Sequence, residues 1–231
     1  MISMLLSPVK MKSLLPHHHR GAFTLETRSM KKEQCLESFL YQHLLQAMAE
    51  QMSEPEYPWC FVFPATCLNQ TNFYMGACCL HYDNIGEPRI YALYSRLSYR
   101  HVFREFQSPR SVAYWQARIL AGTKDVAGCI RLKSWVRELQ RAYSPLDRIW
   151  GKTKRFAQRA DILLSDCCDY DYLSNIEDGV EFIPWANWPI CIQTENKLWM
   201  WRQNKFGKIT SSKRILLAGD TLNTIPGEQK N

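Results

Sequence analysis

The sequence predicts an α+β fold: an N-terminal helix with an antiparallel hairpin sheet, a central basic three-helix unit, and antiparallel strands towards the C-terminus. Three observations carry that expectation. Residues 31–52 keep a helical apolar period. Two strand-like runs, 72–82 and 89–99, flank a polar loop. Between residues 96 and 159, cap and proline signals recur while fifteen Lys/Arg stand against four acids, a local net charge of +11 where the whole chain carries +7. The chain then divides into a flexible or targeting-like tail (1–29), an α+β region (30–107), a basic helical region (108–159) and a strand-rich C-terminal region (160–231).

The totals bound this reading. At 231 residues the chain suits one large domain or two small ones. A hydrophobic content of 46% excludes disorder by composition for most of it. Nine cysteines, an odd number without framework spacing and with no secretory signal, imply reduced thiols and a cytoplasmic setting. No apolar run approaches the roughly 18 residues a membrane span needs, so no transmembrane segment is expected.

In the tail, Ile2, Leu5, Leu6, Leu14 and Leu15 alternate with basic residues, and Glu26 is its single acid. His17, His18 and His19 are adjacent, so a regular element cannot turn all three to one metal. In the helix over 31–52, Leu36, Phe39, Leu40, His43, Leu44 and Met48 share a face, and Pro55 closes the segment. The short aromatic run 59–63, between Pro58 and Pro64, predicts the first strand. The runs on either side of Asp83-Asn84-Ile85-Gly86-Glu87-Pro88 predict a hairpin, apolar enough on both faces to be covered on both.

Helical signals follow. Ser108-Pro109 supplies a cap and a first-turn proline before Val112, Trp115, Ile119 and Leu120, with Gly122 in the position of a terminating glycine. Thr123 caps a second helix reaching about residue 143, and Ser144-Pro145-Leu146-Asp147 opens a third. Lys133, Arg137 and Arg141 step by four, and Arg148, Lys152, Arg155 and Arg159 step four, three, four, so each set lines one helix face. Like charges in a row gain little as structure, which points to a phosphate-binding surface. The helices around Ala121-Gly122-Thr123-Lys124 resemble helix-turn-helix geometry. The small residues a close crossing needs are poorly placed, so contact with the nucleic-acid backbone is favoured over base reading.

From 160 to 195 the sign reverses, with eight acids and no Lys or Arg; from 196 to 214 it flips again, with Lys197, Arg202, Lys205, Lys208, Lys213 and Arg214 and no acid. Strands are expected at 180–183, 190–194, 197–201 and 214–218, the middle two joined by a tight Glu195-Asn196 link.

Three constellations are candidates for chemistry. Asp166, Asp169 and Asp171 follow the apolar run 162–164, a pattern that can hold a divalent cation, although capping aspartates in a polar loop explain it as well. Asp178 with Glu195-Asn196-Lys197 has the form of a metal-dependent nuclease site, in which the carboxylates bind Mg²⁺ and the lysine orients the attacking water. Cys60, Cys67, Cys78, Cys79 and His81 lack the C-x-x-C spacing of a zinc knuckle, and small buried residues on strands account for them.

The function expected from the sequence is therefore non-enzymatic binding of DNA or RNA, in a nucleoprotein complex with other protein subunits. Arg131, Lys133, Arg137, Arg141, Arg148, Lys152, Arg155 and Arg159 would neutralise phosphates, and exposed members of Tyr99, Trp115, Trp135, Trp150 and Trp201 would stack on bases. No cofactor or resident metal is expected. The alternatives are the nuclease built on Asp178, Glu195 and Lys197, which alone requires Mg²⁺, and a protein–protein adaptor with a basic interface.

Overall fold

In a computed structural model, the residues described are 11–14, 58–64, 72–82, 88–107, 110–122, 134, 179–183, 190, 192 and 197–216. Their strands are β1 (Met11–Leu14), β2 (Trp59–Pro64), β3 (Phe73–Tyr82), β4 (Pro88–Leu97), β5 (Lys197–Gln203) and β6 (Ile209–Leu216). Two helices, α1 (Tyr99–Glu105) and α2 (Val112–Ala121), lie between β4 and β5 in the chain. The strands form one sheet in the order β1-β4-β3-β2-β5-β6, with every neighbouring pair antiparallel.

Alternation along the strands sorts the apolar side chains into two buried layers. Cys60, Val62, Met75, Ala77, Leu93, Trp199 and Trp201 face the helices and join Val112, Trp115, Ile119 and Leu120 in one cluster. Trp59, Phe61, Phe63, Tyr74, Cys78, Tyr94, Leu198 and Met200 form a second cluster on the opposite face. Because the central strands are buried on both sides, both parities of their sequences are apolar, as the composition of the 72–82 and 89–99 runs requires. Gly76 lies between Phe61 of β2 and Tyr94 of β4. A Cβ there would meet the Leu93 carbonyl oxygen and stand 2.9 Å from the Phe61 ring, so the ring occupies the space a side chain would need.

Polar contacts hold the two ends of α2 and tie its middle to the sheet. The Val112 N–H at its start donates to Glu105 Oε2 at 2.7 Å, so the last residue of α1 satisfies one of the donors left over at the start of α2. Gln116 Nε2 donates to Ser95 Oγ of β4 at 3.1 Å. At the far end, the N–H of Gly122 donates to the carbonyls of Arg118 and Ile119.

The expected fold class is overturned. The described residues are mostly one antiparallel sheet with two helices, a sheet-rich architecture, and not an N-terminal helix with a basic three-helix unit. Nine of the ten residues of α2 are buried, so the first helix of the expected basic unit is a core element. The C-terminal strands are not a separate group, because β5 pairs with β2 and extends the hairpin sheet. Such pairing between residues far apart in sequence leaves no local signature. The helix expected at 31–52 and those expected within 123–159 lie outside the described residues.

Smaller expectations shift as well. The hairpin β3–β4 forms, but no hairpin joins 190–194 to 197–201: Trp199, Met200 and Trp201 are paired with β2 on one side and β6 on the other, and the buried Ile192 is helical. The N-cap of α2 is Ser111, without a side-chain capping bond, and Gly122 ends the helix in a right-handed conformation. Met11–Leu14, within the expected tail, pairs with β4.

Candidate nucleic-acid interface

The β5–β6 hairpin closes through Asn204-Lys205-Phe206-Gly207-Lys208, which a few hydrogen bonds define completely. Asn204 N–H donates to the Lys208 carbonyl at 2.9 Å, and Gly207 N–H donates to the Asn204 carbonyl at 2.9 Å. Gly207 has φ +87°, so the loop is a turn followed by a left-handed glycine, one of the common ways to join antiparallel strands. Asn204 Oδ1 accepts from the N–H groups of both Phe206 and Lys208 at 3.0 Å, the side-chain mimicry of a turn for which asparagine is suited.

Two further side chains reach the loop from the core. Gln203 Nε2 donates to the Gly207 carbonyl at 2.7 Å, while its Oε1 accepts from the Trp201 indole N–H at 3.0 Å. The Tyr114 hydroxyl of α2 donates to the Lys205 carbonyl at 2.8 Å. Gln203 and Asn204 are both buried, so the loop is held from beneath.

Those outward side chains are basic and aromatic. Lys205 and Phe206 are exposed, Lys208 is half-buried, and the Lys205 ammonium stands 5.5 Å from the Phe206 ring centre. Arg110, just before α2, packs its guanidinium 5.9 Å from the Tyr114 ring centre and runs its stem past Gly207. The segment 179–183 adjoins this end of the hairpin: Val180 and Ile209 exchange backbone hydrogen bonds of 3.0 and 2.7 Å. Phe182 of that segment is 62% exposed.

On the opposite face of the hairpin, Arg202 lies 4.2 Å and Lys213 5.6 Å from the Trp59 ring centre. Burial lowers the Arg202 guanidinium to about 10, and the ring face gives its charge a partner that water cannot. Lys197 and Arg214 flank Trp199 in the same manner, at 5.9 and 5.7 Å. Among residues with described side chains, eleven Lys/Arg stand against two acids, Glu105 and Glu181. Glu105 is buried and accepts from the start of α2, and Glu181 is exposed.

Of the phosphate-binding residues expected from sequence, Arg131, Lys133, Arg137, Arg141, Arg148, Lys152, Arg155 and Arg159 all lie outside the described residues. So do Asp178 and Glu195 of the nuclease reading. Lys197 opens β5 opposite Leu216, whereas Val180, soon after Asp178, is bridged to Ile209 at the other end of β6. Seven residues of strand, about 23 Å at roughly 3.3 Å each, separate Ile209 from Leu216, so Lys197 and Val180 are not brought together.

Trp115 and Trp201 are core residues with no face to offer a base, and Tyr99 is half-buried. Cys60 and Cys79 face the helices while Cys78 faces the other way, so these three thiols cannot share one metal. Among the described residues, no group of three or more His, Cys, Asp or Glu is placed to hold a metal ion, and no helix is long and apolar enough to cross a membrane.

Sequence reasoning did not single out Arg110, Phe206 or the Asn204–Lys208 turn. The signal that marks the turn is Asn204 followed three residues later by Gly207, between two strand-like runs. Comparison with protein-family models, with curated proteins and with solved structures finds no match to this chain.

Proposed function

We propose that this chain binds nucleic acid, contacting phosphates through Lys/Arg displayed on the β5–β6 hairpin and the adjoining Arg110. The basic rows at Arg131, Lys133, Arg137 and Arg141, and at Arg148, Lys152, Arg155 and Arg159, are part of the same proposal. The observation that supports it most directly is the gathering of Lys205, Lys208 and Arg110 at the β5–β6 turn. A surface of this sign attracts polyanions, and flexible lysines beside arginines suit phosphate better than a neutral ligand.

A salt titration tests the reading. Affinity for an oligonucleotide should fall linearly in log–log form with salt, with a slope of about 0.7–0.9 per phosphate neutralised. Charge reversal at Lys205 and Lys208, and separately at Lys133, Arg137 and Arg141, should each reduce that slope while the circular-dichroism spectrum is unchanged. An affinity that ignores salt sinks the proposal. Running the same incubation with Mg²⁺ or with EDTA addresses the nuclease alternative, since cleavage that is lost in Glu195→Ala would put that reading first. Co-purification followed by nuclease treatment addresses the adaptor, whose partner would survive.

A further inference from the structure

We infer that the tip of the β5–β6 hairpin is a stacking platform for single-stranded nucleic acid, with Phe206 receiving a base and Lys205, Lys208 and Arg110 receiving the flanking phosphates. The inference rests on the proposed function and specifies the form of ligand.

Three features of the tip lead to it. The first is that Phe206 is exposed in a five-residue loop whose other outward side chains are lysines. The ring is 36% exposed, and a polar residue would serve a solvent-facing turn without leaving that apolar surface open. The second is the rigidity of the support. Asn204, Gln203 and Tyr114 direct four side-chain hydrogen bonds of 2.7–3.0 Å onto the loop backbone, so Phe206 is held in place before any ligand arrives. Preorganisation of this kind lowers the ordering cost of binding, which for a single ring on a base is comparable with the gain. The third is the surroundings: Lys205 sits 5.5 Å from the ring, the Arg110 stem passes Gly207, and the exposed Phe182 is carried on the segment bridged to Ile209, next to the turn.

An aromatic ring beside cations matches a strand whose bases are unstacked, since such a strand offers a π-face and a phosphate within one nucleotide. In a duplex the base faces are already covered by their neighbours, and a protruding phenyl ring finds only sugar and phosphate. The chemistry therefore selects single strands over duplexes.

The test is fluorescence anisotropy with the full chain, using labelled oligo-dT and oligo-U of about 15 nucleotides and a duplex of equal length at one salt concentration. The single strands should bind more tightly than the duplex. Phe206→Ala should weaken single-strand binding about tenfold and leave the duplex within about twofold, while Phe206→Trp retains binding. Because Phe206 is exposed, an unchanged circular-dichroism spectrum should accompany both variants. Equal affinity of wild type and Phe206→Ala for the single strands overturns the inference, as does an equal loss on single strand and duplex. If Phe206→Ala has no effect while Lys205→Glu with Lys208→Glu abolishes binding, phosphate contact stands and stacking falls. If no oligonucleotide binds, both fall, and binding to phosphatidylserine vesicles instead would assign the tip to a lipid surface.

Discussion

Helix α2 and the β5–β6 hairpin touch through the Tyr114–Lys205 hydrogen bond, yet they treat charge in opposite ways. α2 lies inside the most basic stretch of the chain, and its own contribution to that charge is the single Arg118, half-buried with its guanidinium 5.7 Å from the Trp115 ring centre. The rest of the helix is buried against β3, β4 and β2. The hairpin lies within 196–214, where six Lys/Arg and no acid stand in nineteen residues, and its turn projects Lys205 and Phe206 outward because the strands behind it bury the apolar residues. A net charge summed over a long stretch is thus a poor guide to what any one element within it displays. Which residues an element must bury decides what it can display.

If that contrast is right, damage to α2 should be read out in stability and damage to the hairpin tip in binding. The largest effect belongs to Trp115→Ala, which should destabilise the fold by about 3–5 kcal/mol in urea denaturation, since the ring is fully buried. Glu105→Ala comes next: it strands the Val112 N–H in a buried position and should cost about 1–3 kcal/mol by the same measurement. Gly207→Ala should cost about 1–2 kcal/mol because φ +87° is unfavourable for any residue with a Cβ. It should also weaken oligonucleotide binding by misplacing Phe206, which would blur the contrast if no such loss appeared. Lys205→Glu with Lys208→Glu should change stability by less than about 0.5 kcal/mol, as is usual for exposed substitutions, while oligonucleotide affinity falls at least tenfold.

The thiols give a pH-linked check on the core side of the comparison. Burial pushes Cys60 and Cys78 well above the ordinary thiol value of 9.0, with the neighbouring thiols adding to the shift at Cys78. A raised folded value means that the fold favours the neutral thiol. Its contribution is complete below 9.0 and is lost as pH rises beyond it. Iodoacetamide at pH 8 should therefore leave both residues unlabelled in the native chain and label them in urea. Labelling of the native chain at either position would show that the strands open more readily than their burial implies.

Legibility in the sequence followed the range of the interactions. The strand at 59–63 and the hairpin of 72–82 with 89–99 were readable because aromatic and apolar runs between turn residues report local preference. The two-sided burial expected of the hairpin also appears, with Tyr74 and Tyr94 on one face and Met75 and Leu93 on the other. The cysteines of β2 and β3 behave as the small buried residues they were expected to be. The site was less legible. Lys197, Arg202, Lys205, Lys208 and Lys213 were visible as a basic run, but Arg110 is remote in sequence, and nothing local shows that Tyr114 and Gln203 would anchor the turn between Asn204 and Lys208.

By itself, the sequence determined the strand propensity of its aromatic runs, the basic sign of the chain and the hairpin loop between 82 and 89, all properties of residues within a few positions of one another. Only the tertiary structure decided that β5 joins β2, that α2 is core and not a basic surface, and that Arg110 stands over the 204–208 turn. Each of these depends on pairing or burial between segments tens of residues apart or more, where the free energy comes from shared apolar surface and no single segment records its partner.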